Sequence, residues 1–306
     1  MVKDVIAHKI SRLKKEKKAL ILAHNYQRGE IQDIADYVGD SIGLCRKAME
    51  EDAKIIVFSA VDFMAESAAI LNPDKKVLLP SLGARCPMAQ MLPSEEIGLW
   101  KKKYPKAPVV LYVNTLAEAK AHCDICCTSA NATEIIDTLN EDTVLFGPDS
   151  NLAWHVQQET EKRVVPIPRR GFCPVHVLFL EEDTKLLKKQ HPDAVVLAHP
   201  ECSPEIQSLA DFIGSTSQMS KYAREGSARE YIVATEVGLL HRLKRENPGK
   251  EFMPAYDGAI CTNMKLNTLE RVYLSLREEK HLMAVPEAVA KKGRNALEKM
   301  VSILGT

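Results

Sequence analysis

The chain has 306 residues, 45% of them apolar, which is ample for one large hydrophobic core or several small ones. Lys plus Arg and Asp plus Glu both total 41, and the resulting zero net charge removes the strongest sequence argument for binding nucleic acid or a membrane surface. Aromatics at 6% are too few for base-stacking platforms, and no apolar run approaches the roughly 20 residues of a membrane helix, so no nucleic acid and no membrane are expected as partners.

The first element, MVKDVIAHKISRLKKEKKA, reads as an amphipathic charged helix, not a signal peptide. Eight cysteines in such a chain point to a reducing cytoplasm, where thiols serve metals or cores rather than disulfides. From there the sequence is one unit written three times. Lys-rich helix ends run into β-branched strands in LKKEKKALILAHNY, LWKKKYPKAPVVLYVN and LLKKQHPDAVVLAHPE, placing His24, Asn114 and His199 at comparable strand ends. A short helix and a second apolar run follow, closing on small hydroxyl residues in ADYVGDS, CDICCTS and ADFIGST. These are Ser41, Ser129 and Thr216, spaced by 88 and 87. A further strand leads to a carboxylate in IIVFSAVD, TVLFGPD and YIVATE. Asp62, Asp149 and Glu236 are spaced by 87 and 87 and read as N-caps or first-turn acids. A helix and a strand closing on proline (KKVLLP, KRVVPIP, KEFMP) complete each unit.

This alternation predicts an α/β protein of three homologous doubly wound αβα domains with short parallel sheets, arranged with pseudo-threefold symmetry around a central site. The expected boundaries are 1–87, 88–174 and 175–263, with 264–306 as a C-terminal extension. Within the extension, TLERVYLSLREEKHLMAVP reads as the helix–strand opening of an unfinished fourth unit that packs back on a neighbour.

One cysteine follows each closing strand: Cys86 in GARCPMAQ, Cys173 in RRGFCPVH and Cys261 in GAICTNMK, at separations of 87 and 88. A lone Cys is ordinarily a small core residue, but three at the repeat period bring three thiols to one point. Gly83, Gly171 and Gly258 precede them, as loops approaching a bulky ligand need. The denser cluster, Cys123, Cys126 and Cys127, coincides with packing positions of the other two units and is read as packing. Cys45 and Cys202 are read as core. Three thiolates suit either zinc, with His176 as fourth ligand, or an iron–sulfur cluster with one iron left open.

Helix starts at Ser41, Ser129 and Thr216 favour an anionic ligand, although capping alone is the plainer role of such hydroxyls. His24, Tyr112, Asn114, His199 and Glu201 add imidazole, phenol, amide and carboxylate to the same space, a set able to move protons.

The stretches LAHNYQ, IADYVGDS, YVN, CTSANA, GFCPVH, HPEC and GSTSQM together resemble quinolinate synthase, the A-type enzyme of bacterial and archaeal NAD biosynthesis, over essentially the whole chain. The resemblance implies an oxygen-sensitive [4Fe–4S] cluster held by Cys86, Cys173 and Cys261. It implies a condensing and dehydrating transferase that joins iminoaspartate to dihydroxyacetone phosphate, yielding quinolinate, phosphate and water. Substrate contacts are then expected from His24, Ser41, Tyr112, Val113, Asn114, Ser129, His199, Pro200, Glu201 and Thr216, with Tyr26 and His176 near the triose-derived part. Glu201 with His199 is expected as the main proton carrier and Tyr112 as a positioner or acid, with Tyr26 completing the catalytic set. An aspartate oxidase or dehydrogenase would supply iminoaspartate, and the location would be cytoplasmic. The alternatives are another cluster-dependent hydro-lyase and a non-enzymatic zinc-stapled scaffold.

Overall fold

In the first apolar run, ALILAH, every residue after the first is buried, as a strand covered on both faces requires. A computed structural model describing residues 2–303 places this run at the centre of one of three four-stranded, all-parallel sheets. The first sheet is built from β1 (Ala19–His24), β2 (Tyr37–Gly39), β3 (Ile55–Ser59) and β4 (Lys76–Leu78), in the order β2-β1-β3-β4. The second uses β5 (Val109–Tyr112), β6 (Ile125–Cys127), β7 (Thr143–Gly147) and β8 (Arg163–Pro166), in the order β6-β5-β7-β8. The third uses β9 (Val195–Ala198), β10 (Phe212–Ile213), β11 (Glu230–Ala234) and β12 (Glu251–Pro254), in the order β10-β9-β11-β12. The repeated topology is the expected α/β architecture.

Helices flank each sheet. Those of the first unit are α1 (Val2–Lys17), α2 (Gly29–Ile34), α3 (Ser41–Glu50) and α4 (Asp62–Leu71). The second unit has α5 (Ser94–Lys103), α6 (Ala117–Lys120), α7 (Ala132–Asp137) and α8 (Ser150–Glu159). The third has α9 (Glu181–Gln190), α10 (Pro204–Leu209), α11 (Thr216–Glu225) and α12 (Leu239–Glu246). Strand register refines the alignment of the units. His24 pairs with Gly39 and Tyr112 with Cys127, each at the last position of its ladder. Tyr112 is therefore the counterpart of His24, and Asn114 lies two residues beyond, opposite Tyr26 and Glu201 in the repeat.

The C-terminal extension does not open a fourth unit. Helix α13 (Leu269–Glu278) packs on α1 and β3, where Leu269, Val272 and Leu276 join the core with Ile10, Ile21 and Val57. The following residues run antiparallel along β4, with Leu79 N–H donating to His281 O at 3.1 Å and Met283 N–H to Val77 O at 2.8 Å. A strand in that direction completes the first sheet's edge and cannot start a parallel unit. Helix α14 (Glu287–Ile303) lies over β6 and against α4 and α6, so a second sheet edge is covered. Among the described residues no helix is long and apolar enough to cross a membrane.

Leu297 on α14 is fully buried, whereas Leu99 on α5 is 64% exposed. Leu297→Ala is expected to destabilise the fold by about 2–5 kcal/mol, and Leu99→Ala by less than about 0.5 kcal/mol. Denaturant unfolding checks both; equal effects would mean that α14 is not part of the packed core.

Candidate active site and metal centre

The sheets' carboxyl ends and the loops after their fourth strands converge on one cavity of about 200 Å³. Cys86, Cys173 and Cys261 all line it, and Cys123, Cys126 and Cys127 do not. Cys126 and Cys127 are buried in β6, and Cys123 Sγ lies 3.7 Å from Cys126 Sγ. Cys45 and Cys202 are buried in the cores. Burial pushes the Cys86, Cys173 and Cys261 thiols above their ordinary value, and Cys261 raises Cys86 further. Three such sulfurs ionise together only beside cationic metal. The donor set therefore fits an iron–sulfur cluster.

The loops that carry these cysteines are fastened by the repeated carboxylates. Asp62 Oδ1 accepts from Phe63 N–H and Cys86 N–H, both at 2.9 Å. Glu236 Oε1 accepts from Cys261 N–H at 3.0 Å and pairs with Lys265 Nζ at 2.9 Å, while its Oε2 accepts from Gly238 N–H. Asp149 caps α8 through Asn151 and Leu152 N–H, and the Cys173 amide also favours its charged form. Reading these acids as caps or first-turn residues was thus half their role. Of the three glycines, Gly171 alone meets a rigid obstacle, since a Cβ there would sit 1.8 Å from Pro148 O. Gly83 and Gly258 face only side chains.

Ser41, Ser129 and Thr216 line the same cavity, and none is the N-cap of its helix. Asp40 caps α3 through Gly43 N–H, and Ser215 caps α11 in a capping box with Gln218. In the second unit Asn131 Oδ1 accepts from both Thr128 N–H and Thr128 Oγ1. Capping thus falls to Asp40 and Ser215 in the first and third units, and α7 has no side-chain cap.

One wall, built around the loops after the sheets' first strands, has Glu201 as its hub. Tyr112 Oη donates to Glu201 Oε1 at 2.7 Å and Asn114 Nδ2 to the same oxygen at 3.3 Å. His176 Nδ1 lies 2.8 Å from Glu201 Oε2, and its Nε2 lies 2.8 Å from Thr235 Oγ1. Thr235 Oγ1 is in turn 2.6 Å from Tyr26 Oη. His199 stacks on His176 at 4.8 Å, and His24 meets Tyr26 edge-on at 4.6 Å. Burial alone would raise the Glu201 carboxyl, but His176 and His199, with the close contact of His176 and the bond from Tyr112, hold it below the usual range. Burial, then Glu201, pushes both phenols well up. Tyr26, Thr235 and His176 Nε2 thus form one hydrogen-bonded group and Tyr112, Asn114 and Glu201 another, and the 2.8 Å contact of His176 Nδ1 with Glu201 Oε2, which lacks hydrogen-bond geometry, brings the two together. Val113 and Pro200 are buried backbone links of this wall.

A family model described as NadA, quinolinate synthetase A protein, matches residues 8–302. The chain belongs to this enzyme family. It is 53% identical to the quinolinate synthase of Methanothermobacter thermautotrophicus over 295 residues, which cover 96% of this chain and 97% of that protein. The quinolinate synthase of Pyrococcus furiosus is 52% identical over 300 residues, 98% of each chain. That of Dehalococcoides mccartyi strain 195 is 50% identical over 303 residues, covering 99% of this chain and 100% of the relative.

His24, Tyr26, Ser41, Tyr112, Asn114, Ser129, His176, His199, Glu201 and Thr216 line the cavity, Val113 and Pro200 do not, and sequence reasoning missed Thr235. Its counterparts in the repeat are Val61 and Pro148, so a polar residue at an otherwise apolar position was the available signal. His24 and His199 are held down at about 3, chiefly by burial. Below pH 6.5 the unfolded chain takes up protons that these folded imidazoles refuse, so stability falls as pH falls. Between pH 6.5 and 5 the wild-type protein is expected to lose on the order of 1–2 kcal/mol more stability than His24→Gln. Denaturant titrations at the two pH values test this, and identical losses would show that His24 titrates normally.

Proposed function

We propose that the chain is a quinolinate synthase that condenses iminoaspartate with dihydroxyacetone phosphate, with a [4Fe–4S] cluster held by Cys86, Cys173 and Cys261. The observation that carries this reading is the convergence of three repeat-related cysteine loops and one buried proton-exchange network on a single cavity. When bound, the cluster supplies a Lewis-acidic iron that eases departure of a hydroxyl group. The remaining work belongs to the chain's own residues.

Ser41, Ser129 and Thr216 offer hydroxyls to carboxylate and phosphate oxygens, and α3 and α11 point their positive ends the same way. Glu201 is the proton carrier. Its two oxygens face different partners, Tyr112 and His176, so a proton gained at one side is returned through the other. Neutral His24 and His199 offer a lone pair or an N–H without adding charge. Tyr26, coupled through Thr235 to His176, serves the triose-derived part. The threefold division at 1–87, 88–174 and 175–263, supply of iminoaspartate by an aspartate oxidase or dehydrogenase, and a cytoplasmic location belong to the same reading.

A second reading rests on one observation. Cys173, His176 and Glu201 bring one ligand atom each to within 4.8 Å of one another, a grouping that a single ion could use. Against it, this grouping uses one cysteine, whereas three repeat-related cysteines line the cavity, and His176 Nε2 already meets Thr235 Oγ1 at 2.8 Å.

Anaerobic purification decides between them: about four irons per chain with inorganic sulfide support the cluster, and one metal without sulfide supports the single ion. In protein carrying its full metal content, Glu201→Gln is expected to lower quinolinate formation at least about 100-fold, because an amide exchanges no proton at neutral pH. Wild-type turnover in this variant would remove Glu201 from the mechanism.

A further inference from the structure

Asn25 follows His24 at the end of β1, is fully buried, and bridges two units. Its Nδ2 donates to Thr216 Oγ1 at 2.7 Å, at the start of α11. Its Oδ1 accepts from Arg242 Nη1 on α12 at 3.0 Å. The backbone is engaged as well, with Asn25 N–H donating to Gly39 O and Asn25 O accepting from Gln32 Nε2. Arg242 is held by Glu246 Oε1 at 2.7 Å and by Val38 O at 3.2 Å.

These bonds fix the orientation of the Asn25 amide. A guanidinium has donors and no acceptor, so the amide oxygen must face Arg242 and the amide nitrogen must face Thr216. The flipped amide would set N–H against N–H. An amide nitrogen only donates, so Thr216 Oγ1 accepts from Asn25 and keeps its own proton for another partner. Thr216 lines the cavity. Its counterparts Ser41 and Ser129 belong to the other two units, and the repeat counterparts of Asn25 are Val113 and Pro200, whose side chains form no hydrogen bonds. Of the three cavity hydroxyls, only Thr216 is held by a side-chain amide.

We infer that Asn25 and Arg242 are positioning residues that leave the Thr216 proton free and so present Thr216 as a hydrogen-bond donor to a carboxylate or phosphate oxygen of the bound substrate. The inference rests on the reading of Thr216 as a substrate ligand. A hydroxyl that already accepts from Asn25 has one lone pair and its proton left, so it has fewer orientations to give up when the anion arrives.

Asn25→Asp tests it with almost no change of shape. The carboxylate still accepts from Arg242 but also draws the Thr216 proton, so Thr216 turns lone pairs to the cavity. The probe is quinolinate, a dicarboxylate, titrated calorimetrically into anaerobic holoenzyme whose iron content and melting temperature are recorded for each variant. Asn25→Asp and Thr216→Val are each expected to raise Kd at least about tenfold. The double variant should bind no more weakly than Thr216→Val alone, because both changes remove the same donor. Thr216→Ser, which keeps the donor, should stay within a few-fold of wild type. Arg242→Met, at a partly exposed position, frees the amide to flip and should also weaken binding. It keeps the test available if Asn25→Asp does not fold.

Additive losses in the double variant would mean that the new charge acts on the ligand directly, which overturns the inference. Wild-type affinity in Asn25→Asp or Arg242→Met, alongside weak binding by Thr216→Val, would overturn it while leaving Thr216 as a ligand. Wild-type affinity in Thr216→Val would remove Thr216 from the substrate site and the inference with it.

Discussion

The amide N–H of Cys86 ends on Asp62, and that of Cys261 ends on Glu236. Each cysteine loop, which leaves a fourth strand, is thereby tied to the start of the helix after its own third strand. Strand register and helix start together decide where the sulfur goes. The carboxylates are buried and their pKa values raised by that burial, so without these bonds they would be costly to keep ionised. The thiols have the same need, since desolvation opposes their charged form. A metal cluster would satisfy them as the backbone amides satisfy the acids, which would make the cavity wall rigid before any substrate enters.

The loops after the first strands are fastened by a second repeated device. Gln32 Nε2 donates to Asn25 O and Gln27 O, and Gln207 Nε2 donates to Pro200 O and Cys202 O. Lys120, at the matching place in the second unit, donates through Nζ to Thr115 O. Each of these residues gathers the carbonyls of the loop that follows its unit's first strand, where His24, Tyr112 and His199 stand. Those loops would otherwise bury unpaired carbonyls beside the site. Identical framing with different contents is how one ancestral unit can supply imidazole, phenol and carboxylate to one cavity.

Much of this was legible because a period of about 87 residues carries position as well as composition. The sheets, the three cysteines and the hydroxyls at Ser41, Ser129 and Thr216 all follow from it. Cys126 and Cys127 could be set aside because the period aligned them with the apolar strand positions that they occupy. What stayed hidden was pairing between units. That Thr235 links Tyr26 to His176 and that Asn25 reaches Thr216 depend on packing across sheets, which spacing along one unit does not encode, whereas capping by Asp40 and Ser215 is local and was overlooked beside the repeated hydroxyls. The extension was misread for a related reason. The helix–strand pattern of residues 269–285 is local, whereas its antiparallel direction along β4 is set by the edge that it meets.

The central claim is that architecture, and not local density of thiols, selects the metal ligands. Six single serine variants, purified without oxygen and assayed for iron, sulfide and visible absorption, test it most directly. Serine at Cys86, Cys173 or Cys261 removes a thiolate and should leave little or no intact cluster. Serine at Cys123, Cys126 or Cys127 should leave iron, sulfide and absorption intact, at a stability cost of about 1–3 kcal/mol where the hydroxyl is buried. Loss of the cluster in the second set with retention in the first would contradict the account and make residues 123–127 the metal site.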